Sequence, residues 1–554
     1  MSAVNPGQAR VRRNEWGFLA VPALGAWTPT RSVTVVIPTY RAESTLSFVL
    51  AGLAAQSYPD HLLEVVVSDD SPEPMAALPE VRPERTRLVR TVAGWGRAAA
   101  CHSGALAAEG EVIHWLDSDM LVERDHVEAQ LRWHDLLDHA VVLGHKWFVD
   151  PAPLDGVDPA VVRDAVAAGR VGDWFADQDR EGHAWVEELY ERTDDLRAAG
   201  PRAHRAHVGA TASLPRALYL EAGGMDTALK LGEDSELGYR LAECGAVFVV
   251  DREAHSWHLG PTHVMRRQDE VNDYNFPFLA DRIPDGRVKR AIAGRQYAVP
   301  YVEVVLDTVG ATHTDVVSTI EAVLASTVPD LVVTLVGPWS RLTDERVAVL
   351  DDPMLDARLV HASYVSEPRV RLVDELAPGR SPAMLRLTLS SASWAPKPKT
   401  LNRLVRELEW THHGLRTAVL PDGATARLER TAAVQRARRV ARAVEDLADV
   451  IDELFGSWWV DGAEVGFLPT AKVPVARLPG RSGPARDPAS LPDTEGDAPS
   501  RRAAGSRDGP DGPPRPTGSP SRRQIPAERA PDSQPTNLRR VRARLAALVR
   551  RSDG

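Results

Sequence analysis

Asp117 and Asp119 stand one residue apart around Ser118, directly after the apolar run Val112-Ile113-His114-Trp115-Leu116. Carboxylates placed where a buried strand surfaces can both face a hard divalent cation. Mn²⁺ and Mg²⁺ prefer oxygen ligands and are commonly held by one or two carboxylates together with substrate phosphates. An acidic turn has the same composition, because Asp and Ser bond their own backbone in turns. The choice between these readings rests on what surrounds the motif.

The surrounding pattern alternates strands with helices. Val33 to Ile37 is a β-branched run closed by Pro38, and Leu46, Val49, Leu50 and Leu53 then fall on one helical stripe. A second strand, Leu62 to Val67, ends in Ser68-Asp69-Asp70-Ser71, and a helix over 98–108 feeds the strand at 112–116. Such alternation implies an α/β fold with a parallel or mixed sheet, whose ligands sit beyond the carboxyl ends of the strands. Pro38-Thr39-Tyr40, Asp69-Asp70 and Asp117-Ser118-Asp119 all occupy such ends, so they belong to one site. Residues 151–200 form an acidic, Trp-containing helical insertion over that edge. The core pattern returns over 207–260, with a strand at 246–250 and a loop carrying His255 and His258.

A chain of 554 residues is too long for one ordinary domain. Its net charge of -11 argues against a nucleic-acid binder, which would carry a basic footprint. Cys101 and Cys244 are too few for a disulfide framework or a thiolate metal site, which fits a reducing, cytoplasmic setting. No apolar stretch reaches the ~18 residues a bilayer span requires, and the N-terminus lacks the pattern of a signal peptide. Pro, Arg, Gly, Ser and Asp dominate from about 482, a composition that reads as disordered. Beyond it, Leu538, Val541, Leu545 and Leu548 fall at helical spacing among arginines. A basic amphipathic helix of this kind can lie on an anionic membrane surface or dock a partner.

Taken in order, Val35-Val36-Ile37-Pro38-Thr39-Tyr40, Gln56-Ser57-Tyr58-Pro59 and Glu64-Val65-Val66-Val67-Ser68-Asp69-Asp70-Ser71 resemble the opening of the family 2 glycosyltransferases of the GT-A fold. Gly96-Arg97-Ala98-Ala99-Ala100, Gly104 and Gly110-Glu111-Val112-Ile113 are similar to the stretch that leads into that family's Asp-x-Asp. Downstream, Gly223-Gly224-Met225-Asp226 and Gly232-Glu233-Asp234-Ser235-Glu236-Leu237-Gly238-Tyr239-Arg240-Leu241 resemble the acceptor-side segment of galactosyltransferases and chondroitin polymerase. The resemblance spans residues 33–260.

It implies specific roles. Asp234 is the base that deprotonates the acceptor hydroxyl, and Glu233 orients the acceptor. Asp117, Asp119 and His258 hold Mn²⁺ or Mg²⁺. His255 is the rival to His258, which is favoured by the Leu259-Gly260-Pro261 that follows it. Pro38, Thr39, Tyr40, Asp69, Asp70, Arg97, Asp117 and Ser118 receive the nucleotide sugar. The residue types suit these tasks, since an Asp can accept the imino hydrogen of uracil and the N-terminal dipole of a helix favours anions such as Glu233 and Asp234. Three departures bear on base and sugar preference: Arg41 stands where Asn is common, Ser71 where Gly is common, and Ala100-Cys101-His102 where Ala-Arg-Asn is usual.

The chain also resembles itself. Val302-Glu303-Val304-Val305-Leu306 through Ser326-Thr327-Val328-Pro329-Asp330-Leu331 tracks Val33-Thr34-Val35-Val36-Ile37 through Ser57-Tyr58-Pro59-Asp60-His61. Val336-Gly337-Pro338-Trp339 falls where Asp69-Asp70 belongs, and Ser390-Ser391-Ala392 follows Leu385-Arg386-Leu387-Thr388-Leu389 in place of Asp117-Ser118-Asp119. Serines and an alanine cannot hold the cation of a diphosphate sugar.

The expected organisation is therefore an N-terminal extension over 1–30, a catalytic GT-A domain over 31–290 and a degenerate, inactive GT-A-like domain over 296–470. A disordered linker over 482–536 and a basic amphipathic helix over 537–552 complete it. The expected activity is metal-dependent, inverting transfer of a sugar from a nucleotide-diphosphate donor, UDP-linked, to a hydroxyl of a glycan or lipid-linked acceptor, in cell-surface polysaccharide or glycoconjugate synthesis. The enzyme would be cytoplasmic, with peripheral contact at the inner face of the membrane through the basic helix. One rival is a nucleotidyltransferase, for which Pro38-Thr39-Tyr40-Arg41-Ala42 lacks the Gly-rich, Lys-containing phosphate loop. Another is a non-catalytic glycan-binding or scaffold protein, against which Asp117, Asp119, Glu233 and Asp234 speak.

Overall fold

The computed structural model describes residues 8–285, 290 and 295–473. The β-branched runs near the N-terminus form β1 (Val33–Thr39), β2 (Leu63–Asp69), β3 (Thr86–Arg90) and β4 (Val112–Leu116). The sheet continues through β5 (Met120–Val122), β6 (Ala140–Val149), β7 (Thr211–Pro215) and β8 (Val247–Leu259). Its order is β3-β2-β1-β4-β7-β6-β8-β5. β1, β2 and β4 are buried at every position, which is why they read as continuous rather than alternating apolar runs. Parallel pairing of β1 with β2 and β4 brings their carboxyl ends to one edge, while β7 returns antiparallel against β4.

A second sheet follows. It contains β9 (Val302–Asp307), β10 (Leu331–Val336), β11 (Val370–Val373) and β12 (Leu385–Leu389), while β13 (Trp394–Pro396) lies outside it. β14 (Leu415–Val419), β15 (Thr425–Arg430) and β16 (Ser457–Asp461) complete it, and β17 (Phe467–Pro469) pairs with β13. Its order, β11-β10-β9-β12-β15-β14-β16, repeats the first sheet strand for strand, lacking only a counterpart of β5. The orientations repeat too: β9 runs parallel to β10 and β12, β15 antiparallel to β12 and β14, and β16 parallel to β14. Both sheets lie in one compact unit ending at Pro474.

Register makes the comparison residue by residue. Val33 faces Leu63 and Val112, and Val302 faces Leu331 and Leu385. Counting along the strands, Gly337 and Pro338 occupy the positions of Asp69 and Asp70, and Ser390 that of Asp117. A Cβ on Gly337 would come within 2.6 Å of the Trp339 ring, so the indole lies against the backbone where the first sheet carries an aspartate.

One expectation changes. The histidines expected in a loop lie on a strand, because β8 runs on through Leu259 and pairs His258 with Met120 and Phe148. The N-terminal extension is an integral strap. The Asn14 amide donates to the carbonyls of Leu196 (3.0 Å) and Phe248 (2.8 Å) and accepts from Phe248 N at 2.9 Å, while Arg13 N donates to Leu454 O at 2.8 Å. Segments 482–536 and 537–552 lie outside the described residues. Among the described residues no helix is long and apolar enough to cross a membrane.

Candidate active site

Asp117 follows the last residue of β4, and its backbone N–H bonds Ala210 O across the sheet at 3.3 Å. Arg97, the first residue of the Arg97–Ala107 helix, donates Nε (2.9 Å) and Nη2 (2.8 Å) to Asp117 Oδ1 and Nη1 to Glu233 Oε1 at 3.0 Å. Glu233 opens the Glu233–Glu243 helix. One guanidinium thus ties the end of β4 to the helix expected to carry the base. Burial, and then the neighbouring Asp234, push the Glu233 carboxyl above its ordinary range, with Arg97 opposing them.

Asp234 lies half-buried beside Glu233, and its backbone carbonyl accepts from His207 Nδ1 at 2.8 Å. Gly209 lets these groups meet. It has a φ of +63°, and a Cβ there would sit 3.0 Å from both Arg97 Nη1 and Asp234 Cβ. Glycine adopts that backbone conformation without the penalty other residues incur.

His258 Nδ1 lies 2.7 Å from Gly260 O, an atom that can only accept, so the ring proton sits on Nδ1. Nε2 then presents a lone pair toward Asp119 Oδ1, 3.7 Å away. A hydrogen bond from one imidazole nitrogen that orients the other toward a cation is a usual feature of metal-ligating histidines. Burial raises the Asp119 pKa, with His258 opposing and Asp117 adding to the effect. Among the described residues no three His, Cys, Asp or Glu side chains close into a cage around a metal. Asp119 and His258 instead stand as an open pair of oxygen and nitrogen groups able to ligate a cation. Asp117 Oδ1 is taken by Arg97, which leaves Oδ2 as its donor atom toward any ligand.

At the neighbouring strand end, Asp69 is the buried last residue of β2. Its carboxylate accepts from the amides of Ser71 (2.9 Å) and Met75 (2.9 Å) and from Arg90 Nη1 (2.6 Å). Burial raises its pKa, but these donors outweigh it and hold the group below its ordinary range. Asp69 therefore shapes the loop, and Asp70 accepts from Gly96 N at 2.6 Å beside Arg97. Pro38 and Thr39 end β1 in register with Ser68 and Asp69. The Thr39 hydroxyl is buried with no hydrogen-bond partner among the described residues, while Tyr40 is exposed. Ser118 is half-buried between the two aspartates.

Lys146 escaped the sequence reading. It lies on β6 two residues before Phe148, on the same face of the sheet, and the Phe148 ring packs 4.8 Å from that of His258. Lys146 is 7% exposed and makes no hydrogen bond or ion pair among the described residues. Burial lowers its pKa to about 8 against the pull of Asp117, Asp234 and Glu187. His183, from the insertion, is lowered to about 4 by burial and by Lys146. The available signal was a lysine inside an otherwise apolar strand, since lysine is almost never fully buried without a partner. Phe148 also borders a cleft of about 610 Å³, lined by Pro151, Pro153, Glu181, Gly260 and Met265 among others, between the insertion and the ends of β6 and β8.

Part of the chain is similar to known glycosyltransferases. Residues 34–155 match the family model described as "Glycosyl transferase family 2". Validoxylamine A glucosyltransferase of Streptomyces hygroscopicus subsp. limoneus is 30% identical over 279 residues, which is 47% of this chain and 58% of that protein. Its namesake from S. hygroscopicus subsp. jinggangensis is 30% identical over 276 residues, 47% of this chain and 61% of that protein. The chain therefore covers less than two thirds of either relative. Among solved structures, S. aureus TarS aligns at TM-score 0.31 and 16% identity over 47% of this chain and 41% of that one. A mannosyltransferase from Pyrobaculum calidifontis aligns at 0.30 and 20% over 48% and 66%.

Proposed function

We propose that this chain, residues 34–155 of which match the Glycosyl transferase family 2 model, is a metal-dependent glycosyltransferase that moves a sugar from a nucleotide-diphosphate donor to an acceptor hydroxyl with inversion. The observation that carries this reading is the Arg97 bridge between Asp117 and Glu233, with the Asp119 and His258 pair beside it.

The donor lies over the carboxyl ends of β1, β2 and β4, its nucleotide between Tyr40 and Asp70. Asp119, His258 and Oδ2 of Asp117 are the groups that would hold Mn²⁺ or Mg²⁺. When bound, the ion supplies Lewis-acid neutralisation of the departing diphosphate. Arg97 and Lys146 add positive charge on the protein side, which is worth most where water is excluded. The acceptor enters through the cleft beside Phe148, and Asp234 removes the proton of its attacking hydroxyl. Glu233, held by Arg97, sets the acceptor's orientation.

The two curated relatives are named for glucosyl transfer, which makes a glucose donor the first to test. UDP-glucose turnover, followed as release of UDP and as labelled glycan or polyol, should need Mn²⁺ and vanish with EDTA or Asp119→Ala. Turnover that survives both treatments would sink the proposal. The sequence of the tail favours a site of action at the inner face of a membrane. Liposome binding that is unchanged on deletion of 538–554 would remove that part.

A further inference from the structure

The second sheet domain touches the catalytic domain at one informative place, the far end of the helix that carries Glu233 and Asp234. That helix ends at Glu243 and turns through Gly245 at a φ of +87°. The last carbonyls of a helix lack intrahelical donors and carry its negative dipole end, so they attract cationic donors. Here the helix's own cap bonds satisfy Arg240 O, Leu241 O and Ala242 O, and the second domain supplies donors chiefly to the Cys244–Ala246 turn that follows. Arg436, on the Thr431–Val440 helix, donates Nε to Gly245 O and Nη2 to Ala246 O. Arg439 Nε donates to Cys244 O at 2.7 Å, and Arg380 Nη1 to Arg240 O at 3.2 Å. Arg436 is buried, and its Nη1 also reaches Arg13 O at 3.2 Å in the N-terminal strap. The backbones nearly touch, since a Cβ on Gly245 would lie 2.6 Å from Arg436 N.

We propose that the second domain, having lost its own aspartates, serves as a positioning module: Arg436, Arg439 and Arg380 fix the C-terminal end of the Glu233–Glu243 helix and thereby hold the two carboxylates at its other end. The helix has 11 residues and so spans roughly 16 Å as a stiff rod. Its first turn is seated by Arg97 on Glu233 and by His207 Nδ1 on Asp234 O, and His207 also packs one turn further along against Gly238, where a Cβ would meet His207 Cβ at 2.7 Å. A rod seated at both ends keeps its orientation, whereas one held only at its first turn can tilt. Misplacement of about 1 Å from a distant change can cost a reaction roughly a hundredfold. The three arginines are positioning residues, and their assignment rests on the proposed transferase reading.

The test uses the full-length chain with Arg436→Gln, Arg436→Lys and the double variant Arg380→Gln/Arg439→Gln, whose side chains are less buried. The double variant is expected to lower kcat at least about tenfold while the Kd for UDP with Mn²⁺ stays within about twofold, because β1, β2 and Arg97 are untouched. Amide hydrogen exchange over 236–241 should speed up about tenfold with β1 and β2 unchanged. Arg436→Lys should recover part of the loss in Arg436→Gln. Unchanged kcat and exchange in a folded double variant would overturn the proposal. So would exchange that accelerates equally across the first sheet, which marks general loosening. Should the parent chain transfer no sugar, the exchange measurement still decides the clamp. Should Arg436→Gln fail to fold, the double variant decides it.

Discussion

His258 Nε2 lies 3.7 Å from Asp119 Oδ1, and the proton on the other imidazole nitrogen is fixed by Gly260 O. This half-site predicts that Mn²⁺ affinity, measured calorimetrically with UDP present, falls at least about 10–100-fold in Asp119→Asn and in His258→Ala. His255→Ala, three residues back on the same strand, should leave it within about twofold. Equal losses at both histidines would count against the assignment.

Asp234 and Glu233 are adjacent, yet only Glu233 is tied to Arg97. If Asp234 is the base, Asp234→Asn should lower kcat by about 10²–10⁴ with little change in UDP affinity. Glu233→Gln should instead raise the acceptor KM along with a smaller kcat loss. Steady-state kinetics in both substrates separates these outcomes.

Burial lowers the Lys146 pKa to about 8, so its ammonium form is present below that pH and lost as pH rises through it. The charged form is the one that can face a diphosphate. kcat/KM for the donor, which reports the free enzyme, should therefore decline above about pH 8 in the parent chain. Lys146→Arg, which stays charged, should lose that alkaline limb, and Lys146→Met should be weak at every pH. A limb that persists in Lys146→Arg belongs to another group.

Glu243 is fully enclosed near Arg380, Arg430, Asp285 and Glu409, and burial raises its pKa from 4.5 to about 8. The folded state then binds this proton more tightly than the unfolded state does. The stability it contributes is full below about pH 4.5 and is lost as pH rises through about 8. Glu243→Gln should gain on the parent chain between pH 5 and pH 9, by at least about 2 °C in Tm. A gap that does not change with pH would refute the shift.

Much of the first sheet was legible because β1, β2 and β4 bury both faces, and such strands print themselves as uninterrupted Val and Ile runs. The duplication was legible for the same reason, and the second sheet repeats the strand order of the first apart from β5. What sequence could not reach was direction. Asp69 and Asp70 look alike as letters, but the Met75 and Ser71 amides turn the first inward. Lys146 carries no motif, and its place depends on a strand pairing 110 residues away, with Ser256. The expected strand at 246–250 put the histidines in a loop, whereas β8 runs on through Asp251, Arg252 and Glu253 with an irregularity opposite Gly144 and His145.

The strap that threads from Arg10 to Asn14 sets an order for folding. Arg10 pairs with Glu453, 443 residues further along the chain, and Arg13 N bonds Leu454 O. During synthesis at about 5–20 residues per second, Arg10 and Arg13 wait roughly 20–90 s for these partners. The β1–β8 sheet can assemble in that interval, but the strap can close only when the second sheet is nearly finished. Arg10 and Arg13 are thus made well before the residues they bond, and their docking ties the strap to the second sheet domain.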